Sequence, residues 1–318
     1  MELIRGLPNV RAAHRGCAAT IGNFDGVHLG HQAVLAQLAA KASELKLPSL
    51  AIIFEPLPRE FFHADSAPPR LTRFREKLLA LQRCSIDTVL CLRFDRRLAA
   101  MRAAEFIDRI LIQGLDVRYL VLGDDFRFGK DREGNFDMLR AAGRARGFQV
   151  DKMRTFRVEG ERVSSTRIRQ ALQRGDLATA ERLLGRRYRL CGRVRRGDAL
   201  GRELGFPTAN LSLGWPLPPV QGIFAVDVRG LQPEPREGVA SIGHRPTVNG
   251  VDHRLEVYLF DFNQNIYGRH LCVELLHKIR DEARFDSLAE LKAQIARDVQ
   301  AARQYFQTRK AARSWGSH

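Results

Sequence analysis

The segment Gly22-Asn23-Phe24-Asp25-Gly26-Val27-His28-Leu29-Gly30-His31 sets two imidazoles three residues apart among glycines. Gly26 and Gly30 let backbone approach a ligand closely, and a helix that starts here turns unpaired N–H groups and its positive dipole end toward phosphate. On a first helical turn His28 and His31 share a face and can reach one anion. An HxxH pair alone is more often structural or metal-binding. The surrounding glycines, with a strand before and a helix after, are what make phosphate handling the reading. The pattern is not a Walker loop, because no GxxxxGK[ST] occurs in the chain.

Three further groups have chemistry in their side chains. Asp124, Asp125 and Phe126 follow the apolar run Arg118–Gly123, where paired acids can read a ribose hydroxyl or a base edge; an ordinary β-turn accounts for the same residues. Ser164, Ser165 and Thr166 stand where a helix begins, with Arg167 and Arg169 within its first turn or so. Hydroxyl caps are routine helix starts, but with Arg169 added they make a clamp for departing phosphates. Between residues 192 and 211, Gly197, Gly201 and Gly205 suit a flexible loop over a nucleotide, and Thr208 and Asn210 face one side if the backbone is extended. A hydroxyl and an amide oxygen are hard ligands suited to Mg²⁺; a glycine-rich hairpin with a turn at Pro207 to Asn210 is the plainer alternative.

The elements that must carry these groups fall into two patterns. Strands expected at Cys17–Gly22, Ser49–Phe54, Thr88–Phe94 and Arg118–Gly123 alternate with helices at His31–Leu45, Arg75–Cys84, Ala103–Gln113 and Phe136–Arg146. Alternating units of this kind demand a parallel sheet covered on both faces, the doubly wound α/β class, with ligands beyond the carboxyl ends of the strands. After Gly185 come strand-like runs at Tyr188–Val194, Ile223–Val228, Gly238–Ile242, Arg254–Phe260 and His270–Leu276, separated by Gly, Pro and Asn. These spell a small antiparallel barrel or sandwich. Ser287–Gln307 is expected to be an amphipathic helix packed on it. The spacing therefore predicts two domains, 1–185 and 186–318.

Composition narrows the field. The 318 residues carry 52 Lys and Arg against 36 Asp and Glu, a net charge of +16. Of this, +12 lies between Arg140 and Arg196, where 17 basic residues meet five acids. Such a stretch suits phosphate, nucleic acid or plain solvent. It lacks aromatic interleaving, zinc-finger spacing or a basic zipper, so a nucleic-acid-binding module is the lesser alternative. No apolar run is long enough for a membrane span, and the first 16 residues lack the core of a signal peptide. Five scattered cysteines, without CxxC spacing, fit a reducing cytoplasm and argue against zinc. No GxGxxG follows the first expected strand, which removes a dinucleotide-dependent oxidoreductase.

Taken in order, GNFDGVHLGH, the Phe54 to Pro58 stretch, GDDFRFG and SSTRIR resemble the nucleotidyltransferase half of bacterial bifunctional riboflavin kinase/FAD synthetases. GFPTANL (205–211), QGIFAV (221–226), SIGHRPT (241–247), LEVYLFDF (255–262) and IRDEARF (279–285) resemble their riboflavin kinase half. The resemblance implies a Rossmann-like nucleotidyltransferase domain followed by a compact β-barrel kinase domain with a C-terminal helix. It implies phosphorylation of riboflavin to FMN by ATP, then adenylylation of FMN to FAD with release of pyrophosphate, both with Mg²⁺. Retention of only one activity is the runner-up. Flavins and ATP are the expected partners, with neither nucleic acid nor membrane.

By the same resemblance, Glu256 is the catalytic base of the kinase, Thr208 and Asn210 hold its magnesium, and Gly201, Gly205, Phe206 and Pro207 line its nucleotide. In the other half His28, His31 and Arg169 serve the transfer; Gly22, Asn23, Asp25, Gly26, Gly30, Ser165 and Thr166 bind ATP. Asp124, Asp125, Phe126 and Arg280 are assigned to flavin or ribose. One departure stands out: Tyr258 replaces the histidine usual two residues after the base, which bears on a neighbour of Glu256 and not on the base itself.

Overall fold

The computed structural model describes residues 1–153, 155–197, 200–213, 218–247 and 250–315, and at 200, 244–247, 250–253 and 313–315 it describes backbone alone. Asp198 and Ala199 of the glycine-rich stretch thus lie outside the described residues. Contacts divide the chain into two compact units, Met1–Ser165 and Thr166–His318.

The first unit holds β1 (Glu2–Arg5), β2 (Ala18–Ile21), α1 (Leu29–Leu45), β3 (Ser49–Glu55), α2 (Pro58–Phe62), α3 (Phe74–Gln82), β4 (Thr88–Arg93), α4 (Arg96–Ala99), α5 (Ala103–Phe106), β5 (Tyr119–Gly123), α6 (Phe136–Arg146), β6 (Gln149–Met153), and the two-stranded ribbon of β7 (Arg157–Val158) and β8 (Glu161–Arg162). α5 runs on through Ile107–Gly114 with a wider, π-type turn. Six strands form one sheet in the order β1-β4-β3-β2-β5-β6, every neighbouring pair parallel. Both faces are covered. On β5, Leu120 and Leu122 enter one core with Ala19, Ile21, Leu50 and Ile52, while Tyr119 and Val121 enter the other with Ala18, Ile53 and the α1 side chains Leu35 and Leu38. A strand buried on both sides has no polar alternation to show, and RYLVLG shows none.

Of the six strands in this sheet, β1 and β6 have no counterpart among the strands expected from the sequence. β1 is four residues at an edge, and β6 (QVDKM) has no fully buried residue, so neither carries an apolar run. The strand order has a consequence for function. The chain leaves β2 toward β3 and β4, then returns to lay β5 on the other side of β2. The order reverses there, and such a switch point opens a crevice at the carboxyl ends of the two strands. GNFDGVH leaves β2 and GDDFRFG leaves β5, so both motifs share that crevice.

The second unit begins with α7 (Ser165–Gln173, from its second residue) and α8 (Leu177–Leu184), continues with β9 (Arg189–Arg195), α9 (Leu200–Glu203), β10 (Thr208–Ser212), β11 (Gly222–Arg229), β12 (Arg236–Thr247), β13 (Gly250–Leu259) and β14 (His270–Arg280), and ends in α10 (Leu288–Trp315). The six strands close a barrel, β10-β13-β12-β11-β14-β9, with antiparallel neighbours. Of the two all-β arrangements open to the sequence, it is the barrel that forms. On β11, Phe224, Val226 and Val228 are wholly buried; Ile223 and Ala225 pack with Ala302 and Phe306 of α10. Charge fixes that helix too: Arg280 grips Asp298, and Arg309 reaches the buried Asp227.

Pairing of β9 with β14 sets Cys191 opposite Cys272, Cα atoms 4.0 Å apart, and the two form a disulfide. Cys17, Cys84 and Cys91 are in no disulfide. The sequence had suggested scattered thiols only. Eighty-one residues separate the pair, and nothing but the barrel's closure brings them together.

Candidate functional sites

In the first unit, the loop from β2 to α1 is held in an unusual backbone conformation. Phe24 (φ 46°) and Val27 (φ 40°) lie in the left-handed region, costly above all for β-branched valine, and Gly26 (φ 86°) joins them. The surroundings enforce this shape. Phe24 and Val27 are buried, the Gly26 amide donates to Thr72 Oγ1 (3.0 Å), Gln32 Nε2 donates to the Val27 carbonyl, and Ser165 Oγ donates to the Asp25 carbonyl (2.9 Å). Asp25 itself turns inward, 3% exposed, and its carboxylate accepts from the amides of Leu71 and Thr72 and from the Thr72 hydroxyl. It pins the loop to the segment before α3, while Asn23 beside it is exposed.

His28 is the N-cap of α1, and its Nδ1 accepts from the His31 amide (3.2 Å). That bond leaves the ring proton on Nε2, so neutral His28 presents a donor. The rings of His28 and His31 stack, centroids 3.6 Å apart, and Phe24 meets His31 edge-on. Burial of the ring, with His28 and then Lys77 nearby, holds His31 well below the ordinary imidazole value, so it is neutral at pH 7. A Cβ on Gly30 would stand 3.3 Å from the His28 ring, and one on Gly22 would stand 3.1 Å from the Phe24 ring. Both glycines keep those rings in place.

Beyond β5, Phe126 stacks on Phe128 (5.7 Å). Asp124 accepts from the Thr155 hydroxyl, and Arg162 of the β7–β8 ribbon donates to Asp125 (2.6 Å). Ser165 belongs to this unit; Thr166 and Arg169, on α7, belong to the second. Sequence reasoning missed two features. Phe54, Phe61, Phe62 and Phe94 form an edge-to-face cluster at the carboxyl ends of β3 and β4, with Phe62 58% exposed. Thr72 braces the β2–α1 loop, Arg70 ties Glu55 to Glu60 beside it, and Lys77 is buried on α3. The signal for Lys77 was present: Phe74, Lys77, Leu78 and Leu81 fall at i, i+3, i+4 and i+7, placing a lysine on an apolar stripe.

In the barrel, β10 and β13 pair Thr208 with Tyr258 and Asn210 with Glu256. Their neighbours Ala209, Leu211, Leu255 and Val257 are buried, so the four polar side chains share the half-exposed outer side. The Pro207 to Asn210 stretch is thus the start of a strand. Glu256 has Arg254 Nη1 at 3.8 Å. Around the barrel the row continues to Arg195 on β9 and Ser241 on β12. A Cβ on Gly197 would collide with the Asn210 side-chain amide; one on Gly201 would meet the Phe206 carbonyl at 2.5 Å and Thr208 Oγ1 at 3.1 Å. Both glycines allow the loop to lie directly on the polar pair. Gly205 (φ 88°) turns the chain, exposed Pro207 follows, and Phe206 packs edge-on against Tyr258 (5.6 Å). Thr208, Asn210 and Glu256 offer hydroxyl, amide and carboxylate oxygens side by side, a donor set that fits a hard, partly hydrated cation. Arg280 is engaged: Nε and Nη2 donate to Asp298, and Nη1 donates to the Asp281 carbonyl.

Each unit coincides with a known family. Residues 10–167 match the FAD synthetase family model and residues 184–306 the riboflavin kinase model. The bifunctional riboflavin kinase/FMN adenylyltransferase of Escherichia coli K12 is 52% identical over 96% of this chain and 98% of its own length. That of Haemophilus influenzae is 50% identical over 96% and 99%. The chain belongs to the bifunctional riboflavin kinase/FMN adenylyltransferase family. It is a transferase with an FAD synthetase domain and a riboflavin kinase domain. A crystal structure from Streptococcus pneumoniae, described as a macrolide-efflux protein, superposes with a TM-score of 0.80 at 30% identity, covering 95% of this chain and 99% of that one. Among the described residues here, no helix is long and apolar enough to cross a membrane.

Proposed function

We propose that the two reactions run at the two sites just described, with the pairing of Asn210 and Glu256 as the observation that carries the kinase assignment. A primary alcohol is a poor nucleophile and loses its proton as the new bond forms. Glu256 takes the proton of the riboflavin 5′-hydroxyl while the oxygen attacks the γ-phosphorus of ATP; the bond from that phosphorus to the β,γ-bridging oxygen breaks, and ADP leaves with FMN formed. Thr208 and Asn210 are the residues that would hold Mg²⁺, which neutralises charge on the phosphates when bound. The loop of Gly197, Gly201 and Gly205 covers the nucleotide, and Phe206 and Pro207 continue that wall. With Arg280 committed to Asp298, its service to flavin runs through the placement of α10.

For adenylyl transfer, the attacking group is the FMN phosphate, already largely dianionic at pH 7 with a second pKa near ~6, so no base is needed. A bond forms from this phosphate to the α-phosphorus of ATP, the α–β bond breaks, and pyrophosphate leaves. His28 Nε2–H, His31, the amides at the start of α1 and the backbone of Gly22, Asn23, Gly26 and Gly30 align and neutralise the phosphates. Ser165 and Asp25 fix the loop's shape. Thr166 and Arg169 keep the role that their motif implies, contact with the departing phosphates. Asp124 and Asp125 serve ribose or flavin hydroxyls, and Phe126 and Phe62 offer flat apolar surface to the flavin ring. The basic stretch from Arg140 to Arg196 is assigned to these anionic substrates, and the working compartment is the cytoplasm, where ATP and flavins are made and used.

A chromatographic time course with riboflavin, ATP and Mg²⁺ tests the reading. FMN should rise and then convert to FAD, and chelation should stop both steps. FMN that accumulates without FAD would refute the assignment of the first site.

A further inference from the structure

Lys77 on α3 is fully buried, and its Nζ has no hydrogen-bond partner among the described residues; burial lowers its pKa from the ordinary lysine value, and the charges of Asp25, Glu55 and Glu60 work against that loss of the proton. The groups that face it come from every neighbouring element: Asp25 from the loop after β2, His31 from α1, Glu55 from β3, Glu60 from α2, Arg70 from the segment before α3, and Cys91 from β4. All these carboxylates are otherwise engaged. Asp25 accepts from Leu71 and Thr72, while Arg70 holds both Glu55 and Glu60. An apolar residue of similar shape would cost the fold less than an orphaned ammonium. Proteins keep such local violations mainly at functional sites.

We propose that Lys77 is a positioning residue for adenylyl transfer, a buried counter-charge that keeps the rear wall of the His28–His31 pocket from repelling polyphosphate. The charges around it make the case. Asp25, Glu55 and Glu60 stand against Arg70 and Lys77, leaving one net negative charge; without Lys77 there are two, beside a loop that must accept ATP and the FMN phosphate. In a buried site such a charge is weakly screened and acts on the transferring phosphates without touching them. The same ammonium opposes protonation of His31, keeping that ring neutral while substrates bind. The inference rests on the assignment of adenylyl transfer to the His28–His31 pocket.

Lys77→Met and Lys77→Arg test it, with riboflavin phosphorylation by the same samples as the internal control for an intact chain. Lys77→Met is expected to lower kcat/KM for FMN adenylylation by about 10-fold or more, with a higher KM for ATP. Its riboflavin phosphorylation should be unchanged and its unfolding temperature equal or higher, because the orphaned charge is gone. Lys77→Arg should recover much of the loss. The His31 ring signal in NMR, assigned by its disappearance in His31→Asn, should titrate at higher pH in Lys77→Met. Wild-type adenylylation in Lys77→Met overturns the proposal. So does a loss that comes with a lowered unfolding temperature and no recovery in Lys77→Arg, which would make the lysine a brace only. Full adenylylation by His31→Asn would instead overturn the pocket assignment on which the proposal stands.

Discussion

Asn210 of β10 stands directly across the barrel ladder from Glu256 of β13, two residues along from the pairing of Thr208 with Tyr258. A ladder fixes such neighbours to within a strand spacing, so the base and the oxygen donors are set by the register rather than by a loop. Preorganisation of this kind is what phosphoryl transfer asks of a protein.

Glu256→Gln keeps the shape and removes the base. Loss of general-base catalysis is worth about 10²- to 10⁴-fold. Riboflavin phosphorylation should fall by that order while conversion of supplied FMN to FAD continues at its normal rate. Wild-type kinase turnover would remove Glu256 from the mechanism.

Gly201→Ala probes the loop over the same ladder. Its Cβ would lie 2.5 Å from the Phe206 carbonyl, which is backbone and cannot swing away, and 3.1 Å from Thr208 Oγ1. The loop must lift, so KM for ATP in the kinase reaction should rise several-fold with adenylylation unaffected. Steady-state kinetics with riboflavin and with FMN as alternative substrates separates the two.

Thr72→Val tests the brace on the other site. Valine matches threonine in shape but removes the acceptor of the Gly26 amide and a donor to Asp25. A buried amide left without an acceptor costs about 1–3 kcal/mol. The first unit should melt earlier by that amount in denaturant titration, and adenylylation should show a raised KM for ATP.

Much of this was legible in the residues. Apolar runs on β2 to β5 and the helical periods of α1 and α6 gave the doubly wound half, because strands buried on both faces and amphipathic helices write their burial directly into the chain. β6 was silent because its side chains stay largely exposed. β10 was ambiguous, since Pro207 and Asn210 suit a turn as well as a strand start, and only pairing with β13 decides between them. Asp25 read as a ligand for substrate, yet its partners Leu71 and Thr72 lie 46 and 47 residues away, a distance over which no local pattern speaks.

The grip of Arg70 on Glu55 and Glu60 gives the first unit a pH dependence. Burial pushes the Glu60 carboxyl up, but the hydrogen bond from Arg70 and that from the Leu57 amide outweigh it and hold the group below its usual range. A carboxylate with a depressed folded pKa stabilises the protein above its unfolded value, near ~4.3, and loses that contribution as pH falls toward the folded value. Stability of the first unit should therefore drop below about pH 4.5. Glu60→Gln should flatten that acid limb while costing stability at pH 7, as equilibrium unfolding at a series of pH values will show.

The Cys191–Cys272 bridge joins strands that close the barrel, so its removal bears on the kinase domain alone. Non-reduced, unfolded protein should yield three titratable thiols and reduced protein five, matching Cys17, Cys84 and Cys91 as the cysteines outside the bridge. A bridge spanning 81 residues restricts the unfolded chain by up to about 4.5 kcal/mol in the chain-entropy view. Replacing both cysteines with serine should lower the unfolding midpoint of the second unit by part of that amount. The β9–β14 ladder hydrogen bonds remain, so the barrel should still close and riboflavin phosphorylation should persist at moderate temperature. Five thiols in non-reduced protein would show that the bridge does not form, and the serine pair would then leave the midpoint where it was.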